Sequence, residues 1–466
     1  MRSVLSKTER ERLSAPAADP ARTLLDFIMS FAGSCPRTVS YKPGLPGFNV
    51  FSFCFLLSFF QELIMSLLDK LSDRECWERF AEYKTALCSK SDEKQLMDFI
   101  ENEYYLPVCE KIYASEAFPL PKKTVISKMG TAKKRVVYTY PEKENTVIKL
   151  LTYLMIRRYN GIFTRDLYSF RPQKTAKAAV RRFLKTKDID RMYSYKVDIH
   201  DYFNSIPIDR LLPMLRETTD DDPELYGFLE SLLTEKRVVF RGEIIEETKG
   251  IMAGTPISAF YANLYLNDLD RYFYERSIPY ARYSDDIIVF AGSEDEVRRY
   301  AEHIRGYLES AGLSVNPAKE SYSKPGEGWI FLGFSVNGDT VDIAPATVKK
   351  LKQKMKRKSN GLRRWAARNK VAPVKAASAF IRVFNRKLLE SPQDNELSWS
   401  YWFFPVINTA DSVAAIDSYA RQCIRYIITG KHNKSAYRVT YADMKSLGYR
   451  NLVHEYYAFK ENHNEN

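Results

Sequence analysis

Tyr283-Ser284-Asp285-Asp286 lies between two apolar stretches of the chain, residues 278–281 and 287–291. Strand-forming residues on both sides of a short polar turn predict a β-hairpin that presents two adjacent carboxylates at its tip. The acidic run at 220–222 has no such flanks and precedes Pro223, which predicts a solvated loop. The hairpin is therefore the candidate site, and the other acidic run serves as its internal control.

A third carboxylate, Asp198, ends a segment of the same character. Residues 193–199 alternate in polarity and are rich in β-forming residues, which predicts a strand. Carboxylates gathered in this way can hold two hard cations ~3.5–4 Å apart for phosphoryl transfer. We expect Asp198 and Asp285 to be direct metal ligands, with Asp286 a weaker partner. Two Mg²⁺ ions are the expected cofactor, with Mn²⁺ as a substitute. The alternative is three unrelated surface acids.

Six segments in a fixed order carry a family resemblance. They read YSFRP at 168–172, VDIHDYFNSI at 197–206, SAFYANLYLNDLD at 258–270, YSDD at 283–286, LSVNPAK at 313–319 and FLGF at 331–334. Together they resemble the motifs of bacterial reverse transcriptases, the group that includes group II intron, retron and phage-defence enzymes. The resemblance implies RNA-directed DNA polymerase activity. It also implies an α+β right-hand polymerase fold (fingers–palm–thumb) with an antiparallel palm sheet and a helical C-terminal extension.

The resemblance also implies a division of the chain. The expected parts are an N-terminal helical region at 65–117, fingers at 118–191, a palm at 192–342, a thumb at 343–390 and a helical C-terminal extension at 391–466.

Three residues near the acids take roles from the resemblance. Phe203, five residues after Asp198, lies at the position where the family has a bulky side chain under the sugar of the nucleotide. A ring at that position would clash with a ribose 2′-hydroxyl. The alternative is an ordinary core aromatic. Lys319 lies at the position of the residue that serves the family as a proton donor or charge partner for departing pyrophosphate. The backbone carbonyl of Ile199 lies at the position of a further metal ligand.

Further residues are expected to contact the nucleotide or the template and primer. Lys134 and Arg135 fit a fingers hairpin whose cations grip the triphosphate, and Arg171 fits a contact to template or nucleotide. The alternative is that such basic hairpins belong to a general nucleic-acid-binding surface. The primer and template contacts implied by the resemblance lie at Phe331, Leu332, Gly333, Lys350 and Lys354.

One segment departs from the family pattern. Relatives commonly carry a glutamine in the Gly- and Pro-containing segment before the helix of residues 258–270, where it packs on the incoming nucleotide. Here Ala253 falls at that position and Gly254 follows it. An alanine side chain cannot hydrogen-bond to nucleotide or template. We therefore expect nucleotide positioning to be unconventional, and a product of restricted sequence is the hypothesis that follows.

The composition suits a polyanionic partner. Lys and Arg number 71 against 58 acidic residues, which gives a net charge of +13 and a pI near 9.2. Aromatic residues make up 14% of the chain and offer stacking surfaces for bases as well as core packing. The six cysteines are scattered without a CxxC pair, which indicates neither a zinc site nor a disulfide framework. A reducing, cytoplasmic location is expected.

The first 64 residues differ from the rest. They contain Pro- and Gly-punctuated stretches and an apolar run at 48–60. This run is shorter than the ~20 residues of a membrane-spanning helix, and it begins too far into the chain for a signal peptide. Our hypothesis is that Met65 is the true start and that 1–64 is an over-extended reading frame. The competing interpretation is a hydrophobic accessory arm.

A strongly basic segment follows Pro345. Thr347 is predicted to cap a helix in which three apolar residues are surrounded by Lys349, Lys350, Lys352, Lys354, Lys356, Arg357 and Lys358. In a polymerase this segment is the thumb, whose contacts to the nucleic-acid backbone are electrostatic and independent of sequence. The alternative is a helix that is merely soluble.

The chain shows no His/Asn nuclease motif, protease triad or phosphate-cradling glycine loop. It therefore resembles the stand-alone defence-associated enzymes, which often work with a structured RNA. The expected partners are an RNA template (a structured non-coding RNA), a cDNA product and dNTPs, without a membrane, and an oligomer is allowed. Priming stays open among an RNA 2′- or 3′-hydroxyl, DNA, or a tyrosine such as Tyr456 or Tyr457. The alternative functions are an intron-type maturase and a nucleic-acid scaffold with little polymerase activity.

Overall fold

The computed structural model describes residues 65–85, 90–127, 134–248, 250–390 and 398–464. The hypothesis about residues 1–64 lies outside these ranges. So do the tip of the predicted fingers hairpin, at 128–133, and the beginning of the predicted extension, at 391–397.

The elements are numbered here in chain order. The strands are β1 (Lys122–Ser127), β2 (Lys134–Thr139), β3 (Tyr193–Asp198), β4 (Arg237–Phe240), β5 (Glu243–Glu246), β6 (Tyr280–Tyr283), β7 (Asp286–Ala291), β8 (Ser321–Ser323), β9 (Trp329–Phe331), β10 (Phe334–Asn337) and β11 (Thr340–Ile343). The helices up to β6 are α1 (Arg74–Thr85), α2 (Lys90–Glu101), α3 (Leu106–Tyr113), α4 (Glu142–Arg158), α5 (Ala176–Leu184), α6 (Tyr202–Ser205), α7 (Ile208–Thr218), α8 (Pro223–Thr234), α9 (Ser258–Tyr265) and α10 (Asn267–Glu275). The later helices are α11 (Glu294–Ser310), α12 (Pro345–Arg368), α13 (Pro373–Leu388), α14 (Trp399–Phe403), α15 (Asp411–Thr429), α16 (Tyr441–Ser446) and α17 (Leu452–Asn464).

The central sheet has the strand order β6-β7-β3-β8, and every neighbouring pair in it is antiparallel. Side chains alternate between the two faces of a strand, so Ile287 and Val289 enter one hydrophobic core while Ile288 and Phe290 enter another. Because both faces of β7 are buried, its sequence is a continuous apolar run and not an alternating one.

Helix α11 covers one face of this sheet. Its apolar residues Val297, Ala301, Ile304 and Leu308 recur at helical spacing and are all buried in the first core. Ser293 caps the helix by accepting a hydrogen bond from the Glu296 N–H. Each fully buried aliphatic side chain of this kind contributes about 1.5–3 kcal/mol to the free energy of unfolding.

A second four-stranded sheet has the order β2-β1-β4-β5. Strands β1 and β2 form the predicted fingers hairpin, with Lys122 opposite Thr139. Strand β4 joins it in parallel, through Val239 beside Lys122. The sequence-based division puts β4 and β5 within the palm range, but their hydrogen bonds join them to the fingers hairpin.

The remaining sheet, β11-β10-β9, leads directly into the C-terminal helices. Helices α12, α13 and α15 share one core, to which they contribute Met355, Phe380 and Ile424 among others. The predicted thumb and the helical extension after it therefore pack as one unit. Helix α12 begins at Pro345 after the N-cap residue Ala344. The prediction that Thr347 caps this helix is therefore wrong, because Thr347 already lies in its first turn.

The prediction of a solvated loop at 220–222 is wrong for Asp222, whereas Asp220 and Asp221 are exposed. Asp222 is 3% exposed and caps α8 through the Leu225 N–H. Its other carboxylate oxygen accepts a hydrogen bond from the Leu67 N–H at 2.8 Å. Asp221 forms an ion pair with Arg158 at 2.6 Å. These acids hold the turn before α8 against Leu67 and against Arg158 at the end of α4. Their partners lie too far away in sequence for local patterns to reveal them.

The α+β class, with an antiparallel sheet that carries the three acids and a largely helical C-terminal part, is confirmed. None of the helices in the described ranges is long and apolar enough to cross a membrane.

Candidate active site

The three predicted acids meet at one edge of the central sheet. Strands β6 and β7 pair with Tyr283 opposite Asp286, which leaves Ser284 and Asp285 as the hairpin turn. In the neighbouring pair, Asp198 of β3 lies opposite Asp286 of β7. The turn is also tied to the end of β3, because the Ile199 N–H donates to the Asp285 carbonyl at 2.9 Å.

The electrostatics of these acids are unfavourable in the absence of cations. Burial raises the pKa of Asp285 to about 6, and the charges of Asp286 and Asp198 add to this shift. Burial likewise raises the pKa of Asp286. A desolvated carboxylate beside like charges resists ionisation, so this cluster favours binding of positive charge.

Two lysines supply part of that charge. Lys319 Nζ contacts Asp198 Oδ2, and Asn316 Nδ2 donates to Asp198 Oδ1 at 3.3 Å. Lys196 Nζ lies 3.7 Å from Asp286 Oδ1. The sequence analysis missed Lys196. Its position two residues before Asp198 in a strand was the available signal, because residues two apart share a face.

No three acidic, histidine or cysteine side chains in the described ranges form a ready-made metal cluster. The donor set nevertheless fits a hard divalent cation. Mg²⁺ prefers carboxylate and carbonyl oxygens and keeps several water or phosphate ligands, so two or three protein oxygens suffice. The burial and the neighbouring negative charges that raise the pKa of Asp285 also favour a bound cation.

Phe203 lies in the short helix α6, which follows β3, and is partly buried against the first core. The segment 250–256 fixes the backbone of Phe203, because the Ile251 N–H donates a hydrogen bond to the Phe203 carbonyl at 2.9 Å. Gly250 has φ +62°, and a Cβ there would lie 2.2 Å from the same carbonyl oxygen. Only glycine fits this approach without displacing the backbone that carries Phe203.

The same segment is docked on the sheet β2-β1-β4-β5. The Tyr138 N–H of β2 donates to the Ala253 carbonyl at 2.9 Å. Gly254 packs so close to Tyr138 that a Cβ would lie 3.0 Å from its carbonyl oxygen. Lys134 and Arg135 are exposed at the beginning of β2. The segment with Ala253 therefore docks on the strand that carries Lys134 and Arg135, near the end of β2 opposite these two cations.

Arg171 requires a correction. Its Nε donates to Asn160 Oδ1, and its other N–H groups donate to the backbone carbonyls of Asn160, Phe163, Thr164 and Leu167. A guanidinium group has five N–H donors, and these five bonds use them all. In this structure Arg171 holds a loop together and does not present its guanidinium group to template or nucleotide.

The FLGF segment forms a hairpin between β9 and β10. Phe331 and Phe334 are both fully buried, and Leu332 and Gly333 form the turn with φ +50° and +87°. Gly333 packs against the ring of Phe403 and the hydroxyl of Thr347. Lys350 and Lys354 are exposed on the nearby helix α12. The two phenylalanines therefore anchor the hairpin, and Leu332 and Gly333 form its tip.

The two C-terminal tyrosines differ in exposure. Tyr456 is 3% exposed and donates to the Ile407 carbonyl, whereas Tyr457 is 54% exposed. Of these two hydroxyl-bearing side chains, only that of Tyr457 is open to solvent.

A buried polar network beneath the hairpin turn also escaped the sequence analysis. Arg282, Asp270, Asn263 and Ser169 are each at most 1% exposed and are connected by hydrogen bonds. All four lie in or beside the quoted motifs, but nothing local indicates that they touch one another.

Comparison with known proteins identifies the central part of the chain. Residues 120–336 match the family described as reverse transcriptase (RNA-dependent DNA polymerase). This segment is a reverse transcriptase domain, and it contains all three acids, Phe203 and Lys319. The fold around it is of the α+β class that the sequence predicts.

A curated relative is the putative COX1/OXI3 intron 2 protein of Saccharomyces cerevisiae. It is 23% identical to this chain where they align, over 38% of this chain and 27% of the relative. The chain thus spans about a quarter of the length of that relative.

Solved structures of telomerase are also similar. Apo telomerase from Candida tropicalis, truncated from its C-terminal domain, has a TM-score of 0.41 at 14% identity, over 49% of this chain and 55% of that one. Telomerase from Candida albicans, in complex with a TWJ fragment of telomeric RNA, has a TM-score of 0.41 at 11% identity, over 72% and 64% of the two chains.

Proposed function

We propose that this protein, which carries a reverse transcriptase domain at residues 120–336, is an RNA-directed DNA polymerase. The observation that carries the proposal is the set of three carboxylates, Asp198, Asp285 and Asp286, at adjoining strand ends within that domain. Burial, and to a lesser extent the charges of the other two acids, raises the pKa of Asp285. Such a cluster of ionised carboxylates destabilises the folded protein unless cations bind to it, and clusters of this kind occur mainly at functional sites.

The proposed reaction joins the primer 3′-oxygen to the α-phosphorus of a deoxynucleotide and breaks the bond to pyrophosphate. Two bound Mg²⁺ ions, or Mn²⁺ in their place, would supply the charge that activates the hydroxyl and stabilises the leaving oxygen. Asp198, Asp285 and the Ile199 carbonyl would hold this charge, with Asp286 a weaker partner. Lys319, whose ammonium group contacts Asp198, would donate a proton to the departing pyrophosphate.

Selection and placement of the nucleotide would fall to the fingers and the segment 250–256. Phe203 would exclude a ribose 2′-hydroxyl by steric contact, and Gly250 would keep its backbone in place. Lys134 and Arg135 would bind the triphosphate by charge. With Ala253 in place of an amide side chain, base selection would depend on packing against backbone near Gly254.

The primer and template would lie between the FLGF hairpin and helix α12. Leu332 and Gly333, at the hairpin tip, would contact the primer end. Lys350 and Lys354, both exposed, would contact backbone phosphates without reading the sequence. We accordingly take residues 118–191 as fingers, 192–342 as palm and 343–390 as thumb. Strands β4 and β5 fall within the range of the palm but belong to the sheet of the fingers.

Incorporation of labelled deoxynucleotides on an RNA template tests the proposal. The wild-type protein should make DNA, and Asp285→Asn should abolish the product. Asp220→Asn is the matched control, because it makes the same change at an exposed acid of the run 220–222. An absence of product from folded wild-type protein with either metal would overturn the proposal. So would equal activity of Asp285→Asn and Asp220→Asn.

The finer proposal is that an associated structured RNA is the template and that the activity serves antiphage defence in the cytoplasm. It is supported by the resemblance to stand-alone enzymes and by the net charge of +13. Sequencing the RNA that co-purifies with the protein and the DNA product would test the template. Plating phage on cells that carry wild type or Asp285→Asn would test defence, and equal plating would contradict it.

An intron-type maturase is the second candidate. The similarity to the yeast intron 2 protein favours it. If the protein mainly assists RNA folding, Asp285→Asn should retain RNA binding and function in cells while losing DNA synthesis. A nucleic-acid scaffold would show the same retention and no DNA synthesis by the wild type.

A further inference from the structure

The turn that carries Asp285 has an unfavourable backbone. Ser284 adopts φ +59°, in the left-handed region that residues with a side chain rarely occupy. Asp285 follows it directly, so the direction of its carboxylate depends on whether Ser284 keeps this conformation. Neighbouring groups must therefore stabilise the turn.

Ser169 supplies one of these groups from a distant segment. Its hydroxyl oxygen accepts a hydrogen bond from the Ser284 N–H at 2.9 Å. The same hydroxyl donates to Asn263 Oδ1 at 3.0 Å, while Asn263 Nδ2 donates to the Ser169 carbonyl at 2.9 Å. This two-way pairing fixes the direction in which the Ser169 hydroxyl accepts.

Arg282 holds the other side of the turn. Its guanidinium group forms a two-pronged ion pair with Asp270, with Nε–Oδ1 at 2.8 Å and Nη2–Oδ2 at 2.5 Å. Nη2 also donates to the Asn263 carbonyl at 3.0 Å, and Nη1 lies 3.5 Å from the Ser284 carbonyl oxygen. Arg282 and Asp270 are both fully buried, so water cannot replace these bonds.

The geometry points to Ser169 as a positioning residue. Resting on the function proposed above, we infer that Ser169, held by Asn263 and backed by the Arg282–Asp270 pair, keeps Ser284 left-handed and so aims the Asp285 carboxylate at the metal site. Ser169 itself touches neither metal nor substrate. Groups that orient a ligand in this way typically affect metal affinity or activity by about 10–100-fold when they are removed.

The test compares Ser169→Ala with Ser359→Ala. Both serines are buried, at 0% and 2% exposure, and both lose a hydroxyl hydrogen bond. Ser359 lies in α12, outside the reverse transcriptase domain. Each variant is titrated with Mn²⁺ and no substrate, and the free ion is followed by electron paramagnetic resonance. Asp198→Asn identifies the signal of the acidic site, and primer extension is measured in parallel.

The expected result is that Ser169→Ala weakens Mn²⁺ binding by about 10–100-fold and lowers kcat, while KM for primer–template is unchanged. Ser359→Ala should keep both properties. Ser169→Cys, which retains a weak donor and acceptor, should lie between wild type and Ser169→Ala. If the alanine variant does not fold, Mn²⁺ binding and kcat are measured on Ser169→Cys in its place.

The inference is overturned if Ser169→Ala lowers the melting temperature but binds Mn²⁺ as the wild type does. It is also overturned if the wild type shows no Mn²⁺ site that Asp198→Asn removes. Because the titration needs no DNA synthesis, a protein that binds Mn²⁺ at this site but makes no product would contradict the proposed function and leave the positioning role intact.

Discussion

Asp198 lies directly opposite Asp286 in the antiparallel pair of β3 and β7, and each has a lysine beside its carboxylate. Lys319 contacts Asp198, and Lys196 lies 3.7 Å from Asp286. Two acids that face one another across a strand pair repel, and the two ammonium groups offset part of this repulsion. The site is thus one of concentrated negative charge, held by a rigid sheet and partly neutralised by the protein itself.

Replacing Asp285 with asparagine should make the metal-free protein more stable. The pKa of Asp285 is raised from 3.8 to about 6, so the folded state binds more protons than the unfolded state between these values. Stability is therefore lost as the pH rises through this window, and the full penalty applies above about pH 6. Asp285→Asn removes the penalty, for a gain of about 1–3 kcal/mol near pH 7.

Urea unfolding in the presence of a chelator, at pH values near 4 and near 7, measures this gain. It should be much smaller at the lower pH, and added Mg²⁺ should narrow the difference because it stabilises only the wild type. A variant less stable than the wild type at both pH values would contradict the prediction. Asp220→Asn should change neither measurement.

Lys196→Met should move the pH dependence of activity. The Lys196 ammonium group opposes the rise in the pKa of Asp286 that burial causes. Without it the pKa of Asp286 rises further, so the acidic limb of the activity profile should shift to higher pH by about one unit. Primer extension from pH 6 to 9 measures the shift. Lys187→Met removes an exposed lysine and should leave the profile unchanged.

Phe203→Ala should admit ribonucleotides. If the ring occludes the 2′-hydroxyl, its removal should lower the selectivity for deoxynucleotides by roughly 100-fold, equivalent to about 3 kcal/mol. Competing labelled dNTPs and rNTPs on one template give the ratio. Phe228→Ala, at a partly buried aromatic that packs on Phe118, should leave selectivity intact. An unchanged ratio in Phe203→Ala would mean that the ring serves only as core.

Gly250→Ala should destabilise the protein by at least about 2 kcal/mol, because left-handed backbone alone costs an alanine about 1–2 kcal/mol. The added Cβ would also lie 2.2 Å from the Phe203 carbonyl oxygen. Gly227→Ala is the matched control, since Gly227 is inside α8 with no atom within 4 Å of its Cβ position. That change should stabilise the helix by up to about 1 kcal/mol. Denaturant unfolding of both variants would show opposite signs, and equal effects would refute the prediction.

Two buried thiols should resist alkylation. Burial raises the pKa of Cys109 to about 12 and that of Cys423 to about 11. The thiolate is the reactive form, and at about pH 8 its fraction would be on the order of one in a thousand or less. Peptide mass spectrometry after iodoacetamide treatment should find both unmodified in the folded protein and modified in guanidinium chloride. Rapid labelling of either in the folded protein would count against its burial.

Local pattern was enough to predict much of the site. Alternation over a few residues predicts the β3 strand and the β6–β7 hairpin, and both are present with Asp198 and Asp285 at their ends. The basic helix after Pro345 was equally visible. These features arise from interactions within a strand, a turn or a helix, so neighbouring residues suffice to specify them.

Contacts between distant segments could not be predicted in this way. Asp222 looked like a solvated acid, but it is buried by Ser66 and Leu67, more than 150 residues away. Arg171 looked like a ligand-binding cation, but four of its donors bind backbone carbonyls of its own loop and the fifth binds the Asn160 side chain. The tertiary structure alone decides whether a polar side chain faces solvent or a partner.

The sequence by itself identified the three acids from local periodicity and residue type, and it predicted the class of fold through the resemblance of its ordered motifs to a known family. Only the tertiary structure decided how the acids are held. It brought Ser169 and Asn263 to the Ser284 turn. It joined β4 to the fingers strand β1 and buried the charge of Arg282 against Asp270. Each of these depends on packing between elements far apart in the chain, where the free energy of burial, and not local propensity, selects the partner.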